Sequence, residues 1–220
     1  MGRPRVKICG LQRLEDVEMC TRLGADVLGF IVDYPQPVPW NLTAAEAKAL
    51  MAAVPLPVET CVVTGGTVEQ VYAIGAALRP SYIQLHWESS PADSGQLAER
   101  LGQLGVKLIQ TIFPHTTDLE QTAAVFCRAG VFALLLDPRR PEQAAQGGEA
   151  DIALWRKIQG AVSCPVILAG GIGPQNAGDF ARESGVWMID LLRGVEQTSG
   201  VKDEALVEAL FLALRDAVGN

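Results

Sequence analysis

Two residues able to transfer protons follow apolar segments that lie far apart in the chain. Cys9 ends the segment Arg5–Cys9, and Asp137 ends the segment Phe132–Asp137. A thiolate can remove a proton and a carboxylic acid can donate one, so a small substrate held between them would suit acid–base chemistry. Each residue also has a structural interpretation, with Cys9 as a packed thiol and Asp137 as the cap of a turn before Pro138.

Further polar and glycine residues stand at the ends of other apolar segments. His86 follows one segment, the pair Gly170–Gly171 follows another, and Asp190 ends the last, three residues before Arg193. A histidine can hydrogen-bond a substrate, and glycine pairs leave backbone N–H groups open to an anion. The structural alternatives are a buried histidine with satisfied hydrogen bonds and a tight turn.

The elements that must position these residues alternate between short apolar runs and amphipathic stretches. The predicted strands are Arg5–Cys9, Asp26–Val32, Val58–Val63, Tyr82–His86, Val106–Phe113, Phe132–Asp137, Cys164–Ala169 and Val186–Asp190. The predicted helices are Leu14–Leu23, Thr43–Ala53, Val68–Leu78, Ser94–Leu104, Leu119–Arg128, Ile152–Gln159, Pro174–Glu183 and Asp203–Val218. Eight such units in 220 residues favour one (β/α)8 barrel domain over residues 1–220, rather than a doubly wound sheet.

A closed barrel would bring the candidate residues to one face, because barrel active sites lie at the carboxyl ends of the strands. Cys9 and Asp137 end the first and sixth predicted strands, which are three steps apart in an eight-stranded ring. Gly170–Gly171 follows the seventh strand, where many barrels bind phosphate. The long segments on this face are Asp33–Leu42, His86–Asp93 and Pro138–Ala150.

Composition argues against several classes of function. The formal net charge of −7 disfavours a nucleic-acid or anionic-membrane partner. No apolar run approaches the ~18 residues of a membrane helix, and the start lacks signal-peptide features, so we expect a cytoplasmic protein. Five scattered cysteines and two histidines predict no metal site, and most cysteines should be small buried side chains. The apolar tail Leu206–Val218 packs on its own barrel or on a partner, which leaves monomer and homodimer open.

Several segments occur together in the order known from one enzyme family. They include Lys7-Ile8-Cys9-Gly10, Gly24-Ala25-Asp26-Val27-Leu28-Gly29-Phe30, Ile83-Gln84-Leu85-His86, Leu135-Leu136-Asp137, Leu168-Ala169-Gly170-Gly171-Ile172 and Gly200-Val201-Lys202-Asp203. From residue 5 to about residue 205, the chain resembles the phosphoribosylanthranilate isomerase family. The opening and closing motifs are specific when they are found together.

The resemblance implies an Amadori rearrangement within tryptophan biosynthesis, from an N-phosphoribosyl amine to a 1-amino-1-deoxy-ketose phosphate. It implies that Cys9 is the base, that Asp137 is the acid and that no cofactor is required. The acid must be protonated when the substrate arrives, so we expect burial to raise the pKa of Asp137. A thiol with an ordinary pKa of ~8.5 needs activation to act as a base.

The chain departs from the family pattern around the substrate. The family's arginine after the second strand, which holds the anthranilate carboxylate, has no counterpart in residues 33–41. Trp87 replaces a usual glycine, Gly147-Gly148-Glu149-Ala150 replaces a Gly-Gly-Thr-Gly or Gly-Gly-Ser-Gly loop, and Arg193 stands in a turn that usually carries serines. The predicted substrate-binding residues are His86, Trp87, Trp40, Gly170, Gly171, Asp190, Arg193 and Gly194.

Two interpretations follow from this mixture. The first is an isomerase that acts on phosphoribosylanthranilate or on a related N-glycosyl amine, with changed specificity and a phosphorylated or anionic substrate. The second is a diverged barrel with another small-molecule role, in binding, regulation or another lyase or isomerase step. A third, a scaffold without activity, would not explain the retained acid–base pair. Retention of Cys9 and Asp137 favours the first. The missing arginine favours a changed substrate, because a buried carboxylate without a cation is costly, and Trp40 and Trp87 would suit a flat or apolar aglycone.

Overall fold

Eight parallel strands close into a ring in the computed structural model, which describes residues 2–143 and 148–219. The ring strands are β1 (Arg5–Ile8), β2 (Val27–Val32), β4 (Glu59–Thr64), β5 (Tyr82–Leu85), β6 (Lys107–Ile112), β7 (Ala133–Leu136), β8 (Val166–Ala169) and β9 (Met188–Leu191), while the short β3 (Asn41–Leu42) pairs with the end of β2. β1 pairs with both β2 and β9, which closes the ring. The predicted (β/α)8 barrel is therefore confirmed.

A helix follows each ring strand and covers the outside of the barrel. The helices are α1 (Leu14–Leu23), α2 (Ala44–Met51), α3 (Val68–Leu78), α4 (Pro91–Gly102), α5 (Leu119–Arg128), α6 (Ile152–Ala161), α7 (Ala177–Arg182) and α8 (Glu204–Val218). Thr43 and Thr67 begin α2 and α3 with capping boxes, in which the threonine hydroxyl accepts from one backbone N–H and a Glu or Gln accepts from another. These caps fix where each helix starts.

Apolar side chains fill two layers, because strand residues alternate between the two faces of the sheet. In β2, Val27 and Ile31 pack inside the ring, whereas Leu28 and Phe30 pack between the ring and the helices. The same alternation in β1 directs Val6 and Ile8 to the outer layer. It places residues 7 and 9 on the inner face, so this strand delivers Cys9 to the top of the barrel interior.

The structure differs from the sequence prediction mainly at turns. α4 starts at Pro91 rather than Ser94, because Ser90 caps it and proline suits its first turn. α7 starts at Ala177 rather than Pro174, because the Asn176 side chain bonds the backbone of Gly173 and Gly171 and holds the preceding segment as a turn. A hairpin of β10 (Glu196–Thr198) and β11 (Val201–Lys202) was not predicted.

The cysteines divide into two groups. Cys9, Cys20 and Cys61 are free and buried, as expected for small apolar side chains. Cys127 and Cys164 instead form a disulfide, which their separation of 37 residues in sequence did not reveal. Within the described ranges no helix is long and apolar enough to span a membrane, and no cluster of three or more potential ligands could hold a metal ion.

Candidate active site

A cavity of about 410 Å³ opens at the carboxyl ends of the ring strands. Nine of the ten predicted site residues line it, namely Cys9, Trp40, His86, Asp137, Gly170, Gly171, Asp190, Arg193 and Gly194. Cys9 follows β1 and Asp137 follows β7, and the strand order β7–β8–β9–β1 places them three steps apart around the ring. Both candidate proton-transfer groups therefore face one space.

The tenth predicted residue, Trp87, lies beside this cavity and is absent from its wall. Its indole packs on Gly65, where an added Cβ would lie 2.8 Å from the ring, and it meets the Tyr34 ring edge-on. Trp87 instead borders a neighbouring cavity of about 320 Å³. The expectation that Trp87 shares the substrate space with Trp40 is corrected, because Tyr34 forms that part of the wall.

Cys9 is held by the two strands beside β1. Its backbone N–H donates to the Leu191 carbonyl at 2.7 Å. Gly29 of β2 lies against the thiol, since an added Cβ there would be 2.8 Å from Sγ, so glycine provides the space that the sulfur occupies. Burial raises the pKa of Cys9 and the Lys7 ammonium only partly counters it. The free protein therefore carries a neutral thiol at this position near pH 7.

Beneath the thiol lies a buried ion pair. Lys7 Nζ donates to Asp190 Oδ1 at 2.8 Å, and the lysine side chain is completely inaccessible. The two residues face each other in the register of β1 and β9. Burial alone would lower the pKa of Lys7, but the surrounding groups, with the Asp190 carboxylate first among them, raise it. A fixed positive charge therefore stands inside the barrel near Cys9.

Asp137 is held in place by three groups. Arg139 donates from Nε to Oδ1 at 2.8 Å and from Nη2 to Oδ2 at 2.7 Å, and its backbone N–H bonds Oδ1 at 2.9 Å. His86 Nε2 lies 3.6 Å from Oδ2, while the Tyr34 hydroxyl lies 2.7 Å from Nδ1 of the same ring. The backbone contact is the turn cap that the sequence suggested as the structural alternative.

These contacts overturn the expected protonation of Asp137. Burial acts to raise the pKa of this carboxyl, as predicted, but the nearby His86 ring together with the charge and hydrogen bonds of Arg139 outweighs burial and lowers the pKa. Asp137 is therefore ionised in the free protein. Together with the neutral Cys9, this is the reverse of the state that proton transfer from Asp137 and to Cys9 would need.

Part of the cavity wall is built from glycine turns. Gly170 and Gly171 both have positive φ, 102° and 58°, a conformation that glycine adopts without strain. A side chain on Gly194 would overlap the Ile172 carbonyl, so the turns after β8 and β9 touch here. The Arg193 guanidinium lies 5.9 Å from the centre of the Trp40 ring. Backbone and guanidinium donors at one end suit an anion.

The predicted glycine loop after β7 is described only from Gly148, because Gly147 lies outside the described residues.

Trp40 has a structural role as well as a place in the wall. Its Nε1 donates to Glu196 Oε1 at 2.8 Å, and Lys202 Nζ lies 3.0 Å from the same oxygen. The Glu196–Lys202 pair is buried, with 5% and 0% of the side chains exposed. This contact ties the segment after β2 to the hairpin after β9 and fixes the rim of the cavity.

Sequence reasoning missed Lys7, Arg139, Tyr34 and Gln84 as site residues. The alternation of strand residues could have shown Lys7, since it shares the inner face with Cys9. Arg139 carried a weaker signal, a basic residue directly after Asp137-Pro138. Gln84 lines the cavity, and its buried Oε1 has no hydrogen-bond partner in the described part of the chain. It is a buried acceptor beside the cavity whose hydrogen-bonding capacity is unused within the described residues.

Comparisons with known proteins agree with this arrangement. Residues 6–213 match the N-(5′-phosphoribosyl)anthranilate (PRA) isomerase family. The N-(5′-phosphoribosyl)anthranilate isomerase of Acinetobacter calcoaceticus is 31% identical over 207 residues, which cover 94% of each chain.

Solved structures give the same result. The crystal structure of phosphoribosyl anthranilate isomerase from Thermus thermophilus superposes with a TM-score of 0.77 at 32% identity, over 96% of this chain and 98% of that one. A phosphoribosyl anthranilate isomerase in complex with reduced 1-(o-carboxyphenylamino)-1-deoxyribulose 5-phosphate, 23% identical with a TM-score of 0.76 over 97% and 99% of the chains, shares the fold. The chain belongs to the N-(5′-phosphoribosyl)anthranilate isomerase family and is an isomerase.

Proposed function

We propose that this protein catalyses an Amadori rearrangement of an N-(5′-phosphoribosyl) arylamine, with Asp137 as general acid and Cys9 as general base. Phosphoribosylanthranilate, the substrate named for the relatives, is the first compound to test. The observation that carries the proposal is the placement of Cys9 and Asp137 on one cavity with a glycine-rich anion end. A barrel face of this kind is where such chemistry is found.

The rearrangement needs two proton transfers on the protein. Asp137 gives its proton to the ribose ring oxygen, the C1–O bond breaks, and the nitrogen lone pair forms a C=N iminium. The Cys9 thiolate then takes the C2 proton, and the C–H electrons form a C1=C2 bond as the nitrogen becomes neutral. Loss of the enol proton and protonation at C1 give the ketone. The substrate nitrogen accepts the electrons, so the sequence of steps uses no cofactor.

In the free protein Asp137 is ionised and Cys9 is a neutral thiol, and the proposed mechanism must account for this. Only the minor form, with Asp137 protonated and Cys9 ionised, would react, and substrate binding must therefore favour it. Lys7 supports the thiolate because its ammonium is the largest influence that lowers the pKa of Cys9. The cationic iminium would add a second positive charge beside the sulfur once the ring has opened.

The remaining wall residues have binding roles in this proposal. The phosphate lies among Gly170, Gly171, Gly194 and Arg193, where two glycine turns meet. The Oε1 of Gln84 accepts a hydrogen bond from a ribose hydroxyl. Asp190 is held by Lys7 and presents its second oxygen to the sugar.

The aglycone end should alter specificity relative to the family pattern. Residues 33–41 supply no cation, so a carboxylate pointing towards this loop would be buried without a partner. Trp40 and Tyr34 line the cavity with apolar ring faces instead. We therefore expect a different preference among arylamines, with the acid group, where present, bound from another wall.

The test is conversion of phosphoribosylanthranilate by the purified protein, followed as loss of anthranilate-type fluorescence. Cys9→Ala should lower turnover about 10²–10⁴-fold, as expected for loss of a general base. Cys20→Ala is the matched control, because it removes a buried thiol from α1, away from the cavity. Thermal unfolding of both variants separates chemistry from stability. Normal turnover by Cys9→Ala would remove Cys9 from the mechanism, and ligand binding without turnover in the wild type would favour a binding role.

A further inference from the structure

We propose that Arg139 binds a carboxylate on the substrate's aglycone and that this exchange releases Asp137 to act as the acid. The inference rests on the proposed function and assigns a specificity-determining residue that the sequence did not reveal. In the free protein the Arg139 guanidinium is occupied by Asp137 through two parallel hydrogen bonds of 2.8 and 2.7 Å. A ligand carboxylate offers the same two oxygens in the same geometry.

Arg139 is placed to make this exchange. It lines the cavity, and 15% of its side chain is exposed, so a ligand can reach it. It lies on the segment after β7, whose only described regular element is a single turn of 3₁₀ helix at Pro141–Gln143. Asp137, in contrast, is 3% exposed and is also held by its bond from the Arg139 backbone N–H. The guanidinium can therefore move while the carboxyl stays in place.

The charges around the cavity fit a substrate with two anionic groups. Arg139 and Arg193 both line the cavity, and they are close enough that Arg139, after burial, contributes to lowering the pKa of Arg193. Arg193 stands at the glycine turns that suit a phosphate. Lys7 is inaccessible and paired with Asp190, and residues 33–41 supply no cation. Arg139 is thus the cation available to a second anion at the Asp137 side.

Removal of Arg139 from Asp137 would change the carboxyl's protonation. The groups that face Asp137 are Arg139 on its own segment, His86 after β5, Tyr34 after β2, and Asp190 and Arg193 at the end of β9. When the guanidinium turns to the ligand, Asp137 loses a bidentate cation and remains buried near the negative Asp190. Burial and like charge then raise the pKa of Asp137 against the remaining effect of His86, so a larger fraction of the carboxyl takes a proton from solvent. The ligand's own carboxylate stays ionised.

Two ligands and three variants test this exchange. The ligands are reduced 1-(o-carboxyphenylamino)-1-deoxyribulose 5-phosphate and the same compound without its carboxyl group, with binding measured by calorimetry. The variants are Arg139→Gln, Arg139→Lys and the neighbouring Arg140→Gln, a matched control whose side chain is 43% exposed and lies beside Glu142. We expect the carboxyl group to strengthen binding roughly ten- to hundredfold in the wild type and in Arg140→Gln, and not at all in Arg139→Gln. Arg139→Lys should recover part of the preference.

An infrared difference spectrum supplies a second measurement that a merely structural role would not change. The carboxylated ligand should produce a protonated-carboxyl band in the wild type that is missing in Asp137→Asn and much reduced with the ligand lacking its carboxyl group. Equal ligand preference in the wild type and Arg139→Gln would overturn the inference, as would failure of both ligands to bind. Turnover of phosphoribosylanthranilate, measured in parallel, tests the proposed function separately. If the wild type is active but shows no preference for the carboxylated ligand, only the proposed role of Arg139 is contradicted.

Discussion

Two buried carboxylates face the same cavity, and each is paired with a cation in a different way. Asp190 is paired with Lys7 across two adjacent barrel strands, and the lysine side chain is fully inaccessible. Asp137 is paired with Arg139 two residues further along the chain, in the segment that follows β7, and the arginine is 15% exposed. The first pair is fixed by the sheet register, whereas the second depends on the conformation of one segment.

This difference separates a structural pair from an adjustable one. Movement of Lys7 away from Asp190 would leave two buried charges without partners inside the ring, which is strongly unfavourable. Movement of Arg139 leaves Asp137 with a backbone N–H and His86, and it can be offset by a ligand anion on the guanidinium. The barrel thus combines a fixed ion pair beneath the site, Lys7–Asp190, with an ion pair at the cavity wall, Arg139–Asp137, whose arginine can exchange partners.

The largest expected effect is on stability, when each pair is broken in turn. Lys7→Met should lower the free energy of unfolding by about 3–5 kcal/mol, because Asp190 remains buried and loses its cation. Arg139→Gln should cost only about 1–2 kcal/mol, because Asp137 keeps the backbone N–H of residue 139 and the nearby His86 ring. Urea denaturation of both variants measures the difference. Equal losses of unfolding free energy would mean that both ion pairs are equally important for stability, which would contradict the distinction between a fixed and an exchangeable pair.

A smaller effect is expected at the anion end. Arg193→Ala should weaken binding of inorganic phosphate or a ribose-phosphate analogue by roughly tenfold, because one charge-assisted hydrogen-bond donor is lost. Calorimetric titration of wild type and variant measures this change, with Arg140→Gln as the control for loss of a positive charge elsewhere. Unchanged affinity would show that the arginine faces away from the anion and that the glycine turns alone bind it.

The sequence predicted the barrel because its strongest signals are local and repeated. Alternating strand and helix patterns located every ring strand to within a few residues, and Thr43 marked the start of α2 correctly. The shortened α7 was mispredicted because the side chain of Asn176 organises the preceding glycine-rich turn, an interaction that periodicity does not report. The hairpin after β9 was missed because its strands are only three and two residues long.

The sequence predicted which residues lie at the candidate site, but it did not predict the ionisation state of Asp137. Strand ends and motif residues led to ten predicted site residues, of which nine line the cavity, because a closed barrel gathers strand ends on one face. Trp87 was wrongly predicted to line this cavity, because the direction of a side chain two positions beyond the end of β5 is no longer set by the alternation of the strand. The pKa of Asp137 was predicted with the wrong sign because burial is visible in an apolar sequence, whereas the competing contact of Arg139 depends on the conformation of a segment.

The pH dependence of kcat/KM with phosphoribosylanthranilate tests the central claim most directly, in the wild type and in Asp137→Asn. In the free protein the pKa of Asp137 is lowered and that of Cys9 is raised, so the reactive form has the protonated acid and the ionised base. From about pH 5 to about pH 8, each tenfold loss of protonated Asp137 is matched by a tenfold gain of Cys9 thiolate. The fraction of enzyme in the reactive form, and its contribution to kcat/KM, therefore does not change with pH in this window. Asp137→Asn should be slower and limited only by the thiolate.

The ratio of variant to wild-type kcat/KM cancels titration of the substrate phosphate and isolates this difference. We predict that the ratio rises about tenfold per pH unit across that window, because only the wild type loses its acid as the pH increases. A ratio that does not change with pH would contradict the account, since it would mean that Asp137 is not the group that donates the proton.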